Sequence, residues 1–170
     1  MEEKVYRTDL TPLSFLQRSA LVFPEKTAIV HGDRRSTYSE FEERVNRLAS
    51  NLRNVGLQKH DRVAFLCPNT PALLEAHYAV PAAGGILVAI NTRLNSQEID
   101  FILRHSGAKF LFVDVELQPL VEPINLEGIQ MVRINDTGAA DDPYEEFLAS
   151  FNQRSVQRTT SQQMMTWGSA

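Results

Sequence analysis

Apolar positions along this chain change their period several times, and each change marks a predicted element. Leu13, Leu16, Ala20 and Leu21 recur at helical spacing behind Thr11-Pro12, an N-cap followed by proline at the first helical position, and Phe23-Pro24 stops the run. Thr27 to His31 and Arg34 to Tyr38 flank Gly32-Asp33, where glycine supplies the positive φ of a tight hairpin turn. Ser39 with Glu42 fits a capping box for a helix over 39–55. Phe41, Val45, Leu48, Leu52 and Val55 lie along one face of it, and Gly56 stands at the left-handed C-terminal position.

Beyond this point apolar runs alternate with capped helices. Arg62 to Cys67 reads as a buried strand ended by Pro68-Asn69, and Thr70-Pro71 opens a helix. That helix is apolar around most of its girth through Leu73, Leu74, Ala76, His77, Tyr78 and Val80, until Pro81 kinks or ends it before the Gly84-Gly85 turn. Ile86 to Ile90 is a second buried strand, Asn95 and Glu98 cap a helix carrying Ile99, Ile102 and Leu103, and Lys109 to Asp114 is a third strand. Gly128 to Ile134 fits one more strand and Pro143 to Phe151 one more helix. The pattern predicts an α/β fold, a mainly parallel sheet of about four or five strands flanked by helices with the hairpin at its margin. It spans residues 1–154, and residues 155–170 form a tail without period.

Composition narrows the function classes. The chain has 170 residues, 43% hydrophobic and 22% charged, enough for one core without metal or disulfide support. Its net charge of −4 is interspersed, so no positive field invites nucleic acid. Cys67 is the single cysteine and the start Met1-Glu2-Glu3-Lys4 lacks the apolar core of a signal peptide, so an intracellular, cytoplasmic setting is expected. No apolar run approaches the roughly 20 residues of a membrane span.

Candidate chemistry is sparse. A phosphate loop needs glycines between a strand and the helix that follows, whereas Gly84-Gly85 lies between a helix and a strand. His31, His60, His77 and His105 are too far apart in sequence to share a helix face as zinc ligands, so no metal is expected. Cys67 reads as an inert buried thiol. Glu42-Glu43-Arg44 and Asp141-Asp142 read as solvated faces. His77, amid apolar neighbours, reads most simply as a hydrogen-bonded core residue; it is also the one substrate-pocket candidate.

Several ordered blocks carry a resemblance. They are Phe23-Pro-Glu-Lys-Thr-Ala-Ile-Val-His-Gly32, Thr37-Tyr-Ser-Glu-Phe41 with Arg44-Val-Asn-Arg-Leu-Ala49, and Gly56 through Ala64. Pro68-Asn-Thr-Pro71 with Glu75-Ala-His-Tyr78 and Pro81-Ala-Ala-Gly84 follows, then Ile90-Asn-Thr-Arg-Leu94 running to His105-Ser-Gly-Ala-Lys109. Together they resemble the opening of the adenylate-forming acyl-CoA synthetases, the AMP-binding superfamily. Leu10 to Leu16 and Glu75-Ala-His77 lean toward its short- and medium-chain acyl-CoA ligases and acyl-activating enzymes.

The resemblance implies the N-terminal subdomain of an enzyme that adenylates a fatty or other carboxylic acid with ATP and Mg²⁺, then passes the acyl group to coenzyme A. The family's phosphate loop follows the region reached here by Tyr144 to Ser150, yet residues 158–170 show no such loop. Its adenine-binding segment, ribose-binding aspartate and C-terminal lysine have no matching positions. No catalytic or cofactor-binding residue is therefore carried over, and the chain alone is expected to hold neither ATP, Mg²⁺ nor CoA and to be inactive. A truncated or frameshifted ligase is the leading expectation, with peroxisome or mitochondrion open for the parent. Expected partners are the remainder of the ligase or a full-length homologue, with self-association through the apolar helix from Pro71 to Pro81. The alternative is a non-catalytic binding or regulatory module that docks on a full-length ligase. A flavodoxin-like ligand domain would need a phosphate loop at a strand's end, which the sequence lacks.

Overall fold

The computed structural model describes residues 11–150; the tail over 155–170 lies outside them. Helix α1 (Pro12–Val22) starts at Thr11, whose side chain accepts from Ser14 N–H in a reciprocal capping box. Strands β1 (Thr27–His31) and β2 (Arg34–Thr37) pair antiparallel as a separate hairpin, with Gly32 at φ +58° in the turn. Helix α2 (Tyr38–Asn54) then begins without a connecting loop. Its cap is two residues earlier than the Ser39–Glu42 pair suggested: Glu40 accepts from Thr37 N–H at 2.7 Å, and Thr37 Oγ1 accepts from Glu40 N–H at 3.2 Å. The same Ser/Thr-x-x-Glu spacing fits both sites, and β2 running straight into the helix selects the earlier one.

The main sheet holds β3 (Arg62–Leu66), β4 (Ile86–Ala89), β5 (Ala108–Asp114) and β6 (Gln130–Ile134), all parallel in the order β4-β3-β5-β6. The connections carry α3 (Pro71–Ala83), α4 (Ser96–Ser106), and a 3₁₀ turn (Val115–Leu117) with α5 (Gln118–Val121); α6 (Pro143–Ala149) follows β6. The step from β3 to β4 runs one way along the sheet and the later steps run the other. Right-handed crossovers then require α3 on one face and α4 with α5 on the opposite face.

Side chains obey this division with period two. Val63, Phe65, Phe110, Phe112 and Ile134 pack under α2, α3 and α6, while Ala64, Leu66, Leu111 and Val113 pack against α4 and α5. Phe65 and Phe112, opposite each other in the β3–β5 register, stack with centroids 4.4 Å apart, and Tyr144 and Phe147 of α6 meet Phe112 edge-on. β4 departs from the expected buried strand. It is an edge strand with Ile86 at 47% exposure, because no strand lies beyond it among the described residues.

Helix α3 continues through Pro81 to Ala83 and ends at Gly84, φ +90°. A Cβ on Gly85 would come within 3.1–3.2 Å of Leu57, Val80 and the Asp61 carbonyl, so close packing fixes that residue. The helix buries Ala72, Glu75, Ala76, Ala79 and Val80, and its outer face is reduced to Leu74, His77 and Pro81.

Phe112→Ala removes the ring on which β3, β5 and α6 converge. Chemical denaturation is expected to show a loss of about 3–5 kcal/mol with an unchanged m-value, and a loss under ~1 kcal/mol would contradict this core.

Candidate functional site

The turn after β3 leaves toward α3 on one face and the turn after β4 toward α4 on the other, which opens a crevice at the carboxyl ends of the two strands. It is an open volume of about 490 Å³, lined on the β3 side by Cys67, Pro68 and Asn69 and on the β4 side by Ile90, Asn91 and Thr92. Across the first turn of α3 lies a second groove of about 330 Å³ between the hairpin and α3, formed mainly by Ile29, Val30, Pro71, Leu73 and Leu74 with His31 and His77. Asn69 and Leu73 border both.

His77 thus lines a groove, but as an exposed residue on the outer face of α3, not as a member of the core. Its Nδ1 lies 2.7 Å from the Leu73 carbonyl. A carbonyl only accepts, so Nδ1–H is the donor in this contact. Among the described residues no base or nucleophile completes a pair with it. Thr70 occupies the N-cap of α3, yet its side chain makes no capping hydrogen bond. Pro71, at the first helical position, has no N–H to satisfy.

Cys67 is buried, and that burial together with the charge of Asp114 at the neighbouring strand end pushes its thiol up to about 12. A thiol so placed stays protonated and unreactive. Among the described residues no group of three or more His, Cys, Asp or Glu could hold a metal ion, and no helix is long and apolar enough to cross a membrane.

Charge is instead concentrated inside the helical layer. Glu75 is 1% exposed; Arg44 Nε donates to its Oε1 at 2.6 Å and the Tyr144 hydroxyl to its Oε2 at 2.6 Å. Arg44 also donates to both oxygens of Glu145, at 2.7 and 2.8 Å. Burial pushes Glu75 above the usual carboxylate range, an effect that Arg44 and the Tyr144 hydroxyl only partly offset. Burial also opposes the charge of Arg44, but its bonds to Glu145 and Glu75 outweigh this and raise its pKa. Burial, reinforced by Glu75, holds the Tyr144 hydroxyl well above its ordinary value. Arg44 is therefore no solvated residue. The group joins α2, α3 and α6 and touches neither groove.

Asp142 is likewise corrected. It is 2% exposed, caps α6 through Tyr144 N–H, and accepts from Asn135 and Thr137 N–H, because the loop from β6 folds back over it. That loop also holds Asp136, which bonds His31 at 2.8 Å and Arg34 and so ties the hairpin to the sheet. The clue for Glu75 lay in its position. A carboxylate on a helix apolar nearly all round must be buried and must find a cation, but nothing in sequence pointed to Arg44 as that cation.

The fold is a doubly wound parallel sheet with open crevices at its strand ends. Residues 16–165 match the family described as AMP-binding enzyme, and the chain belongs to that family. The peroxisomal butyrate–CoA ligase AAE11 of Arabidopsis thaliana is 42% identical over 115 residues, which cover 68% of this chain and 20% of that protein. The 4-hydroxybutyrate–CoA ligase 2 of Metallosphaera sedula is 38% identical over 161 residues, 94% of this chain and 28% of that protein. Among solved structures, a benzoate CoA ligase from Burkholderia xenovorans LB400 superposes with TM-score 0.73 at 29% identity over 81% of this chain and 28% of its own. The N-terminal domain of FACL13 from Mycobacterium tuberculosis gives TM-score 0.74 at 29% identity, covering 84% of this chain and 37% of that one. The chain spans about a fifth of the first curated relatives' length, and its fold is that of the N-terminal subdomain of CoA ligases.

Arg44→Met leaves the Glu75 carboxylate buried without its cation, and denaturation is expected to show a loss of about 3–5 kcal/mol. Arg44→Lys should recover only part of it, because an ammonium cannot reach both carboxylates in the bidentate geometry of a guanidinium. Full recovery would show that point charge alone suffices.

For Cys67 the folded pKa, about 12, lies above the ordinary 9.0. Its contribution to stability is complete below pH 9.0 and is lost progressively as pH rises toward about 12. Aromatic-disulfide reagents should leave the native thiol unmodified at neutral pH and label it on unfolding. Rapid native labelling would contradict the buried thiol.

Proposed function

We propose that this chain is the N-terminal subdomain of an acid–CoA ligase. In its full-length form that enzyme adenylates a carboxylic acid with ATP and transfers the acyl group to coenzyme A. The short and aromatic acids named for its relatives, butyrate, 4-hydroxybutyrate and benzoate, mark the substrate class we infer for that parent. In this reading residues 11–150 supply one wall of the enzyme and none of its reacting groups.

One observation carries the reading. Adenylation needs positioned donors and positive charge around the α-phosphate. At the carboxyl end of this sheet the turns after β3, β4 and β5 contain no glycine. The single glycine between β6 and α6, Gly138, packs against the side chain of Arg34, whose guanidinium is already committed to Asp136.

The test is acid-dependent exchange of radiolabelled pyrophosphate into ATP by the purified chain, with butyrate, benzoate and 4-hydroxybutyrate each supplied in turn. No exchange above the no-acid background, and no acyl-CoA on adding coenzyme A, is the expected result. Exchange that depends on the acid would place a working phosphate site within these residues and overturn the proposal.

A further inference from the structure

Helix α3 lies between β3 and β4 along the chain and α4 between β4 and β5, so a strand of the sheet holds each at both ends. Among the described residues α6 is held in this way only at its N-terminal end. From Asp136 to Ser150 the backbone–backbone hydrogen bonds stay inside the segment: besides the ladder of α6, Asp142 N–H donates to Ala139, Glu146 N–H to Asp142 and Ser150 N–H to Glu146. Side chains make the joints to the rest of the domain. Asp136 is gripped by His31 and Arg34 of the hairpin, Glu145 by Arg44 of α2, and the Tyr144 hydroxyl donates to Glu75 of α3. At the far end Asn51 of α2 donates through Nδ2 to the carbonyls of Phe147 and Leu148, at 2.6 and 3.2 Å, and so satisfies the last turn of α6.

We propose that residues 136–150 form a latch that opens as one unit, leaving α2 and α3 while the parallel sheet and its other helices stay folded. No backbone ladder has to break for this to happen, and the seam is polar along much of its length. Opening strands no charge. Arg44 keeps its bond to Glu75 because both belong to the part that stays, and Glu145 passes into water. The apolar loss is confined to Tyr144, Phe147 and Leu148, where the two aromatic rings come off Phe112. Seven residues are too few to keep α6 helical in water, so undocking and unwinding are a single event. The open state bares the Arg44–Glu75 pair and frees the end of α6 from which residues 151–170 continue. The latch depends on contacts within this chain and is independent of the ligase reading.

The experiment is residue-resolved hydrogen exchange on the full 170-residue chain at low denaturant concentrations. Relative to their intrinsic rates, the Glu146, Phe147 and Leu148 amides should exchange faster than those of Leu111, Phe112 and Val113 in β5, and with a much smaller dependence on denaturant. Two variants separate the latch from the body. Glu145→Gln weakens the grip of Arg44 on α6 yet leaves Arg44 paired with Glu75, and it should speed exchange in α6 about tenfold without changing β5. Ile99→Val, buried under α4 on the opposite face of the sheet, should do the reverse and speed β5 about fivefold without changing α6. Equal protection and equal denaturant dependence in α6 and β5 would mean one cooperative unit and overturn the proposal. So would either variant moving both elements together. Amides in α6 with no protection at all would also overturn it, because the latch would then never be closed.

Discussion

A carboxylate with 1% exposure needs polar partners or it loses its charge, and the way Glu75 meets that requirement organises the helical layer above the sheet. Arg44 reaches it from α2, and the same guanidinium, extended toward Glu145, captures α6. The Tyr144 hydroxyl closes the set from the adjacent position on α6. Apolar contact alone leaves a helix several near-equivalent rotations over a sheet. Hydrogen bonds of this length and direction form in only one of them, so the placement of three helices is tied to a single buried charge. Beneath it Phe112 receives Tyr144 and Phe147 edge-on, and polar and aromatic contacts agree on the same docking of α6.

The sheet below sets what the surface can do. Because β3 hands its chain to one face and β4 to the other, the ends of these strands separate and leave open walls lined by backbone-rich turns. Those walls present Asn69, Asn91 and Thr92, groups suited to holding a ligand by hydrogen bonds. They present no activated nucleophile and no concentrated positive charge. The chain belongs to the AMP-binding enzyme family and spans about a fifth of the first curated relatives' length, so these walls are one part of a longer family fold.

Much of this was legible along the chain. The alternation of Val63 to Leu66 between two cores, the hairpin around Gly32, and the helices ended by Gly56 and Gly107 all follow from local periodicity and turn chemistry. What escaped was set by tertiary partners. Arg44 and Asp142 look solvated in sequence because their neighbours are acidic, and only tertiary packing brings Arg44 to Glu75 of α3 and Glu145 of α6 and buries Asp142 under the β6 loop. β4 is as aliphatic as a central strand, and its edge position depends on which side of β3 the next strand chooses. His77 looked interior because α3 is apolar around it, but the helix turns its alanines inward and leaves the imidazole outside.

Strand order also dictates when the fold can close. β3 lies between β4 and β5, and β5 leaves the ribosome only after α3, β4 and α4 have been made. Until then Phe65 and Leu66 have one neighbouring strand instead of two, and the aromatic stack of Phe65 has no partner. Vectorial synthesis thus holds an apolar, half-paired sheet open through the middle of translation. Long-range parallel pairing of this sort forms slowly. The apolar strands therefore stay incompletely covered from the emergence of β3 until α6 arrives to seal the layer.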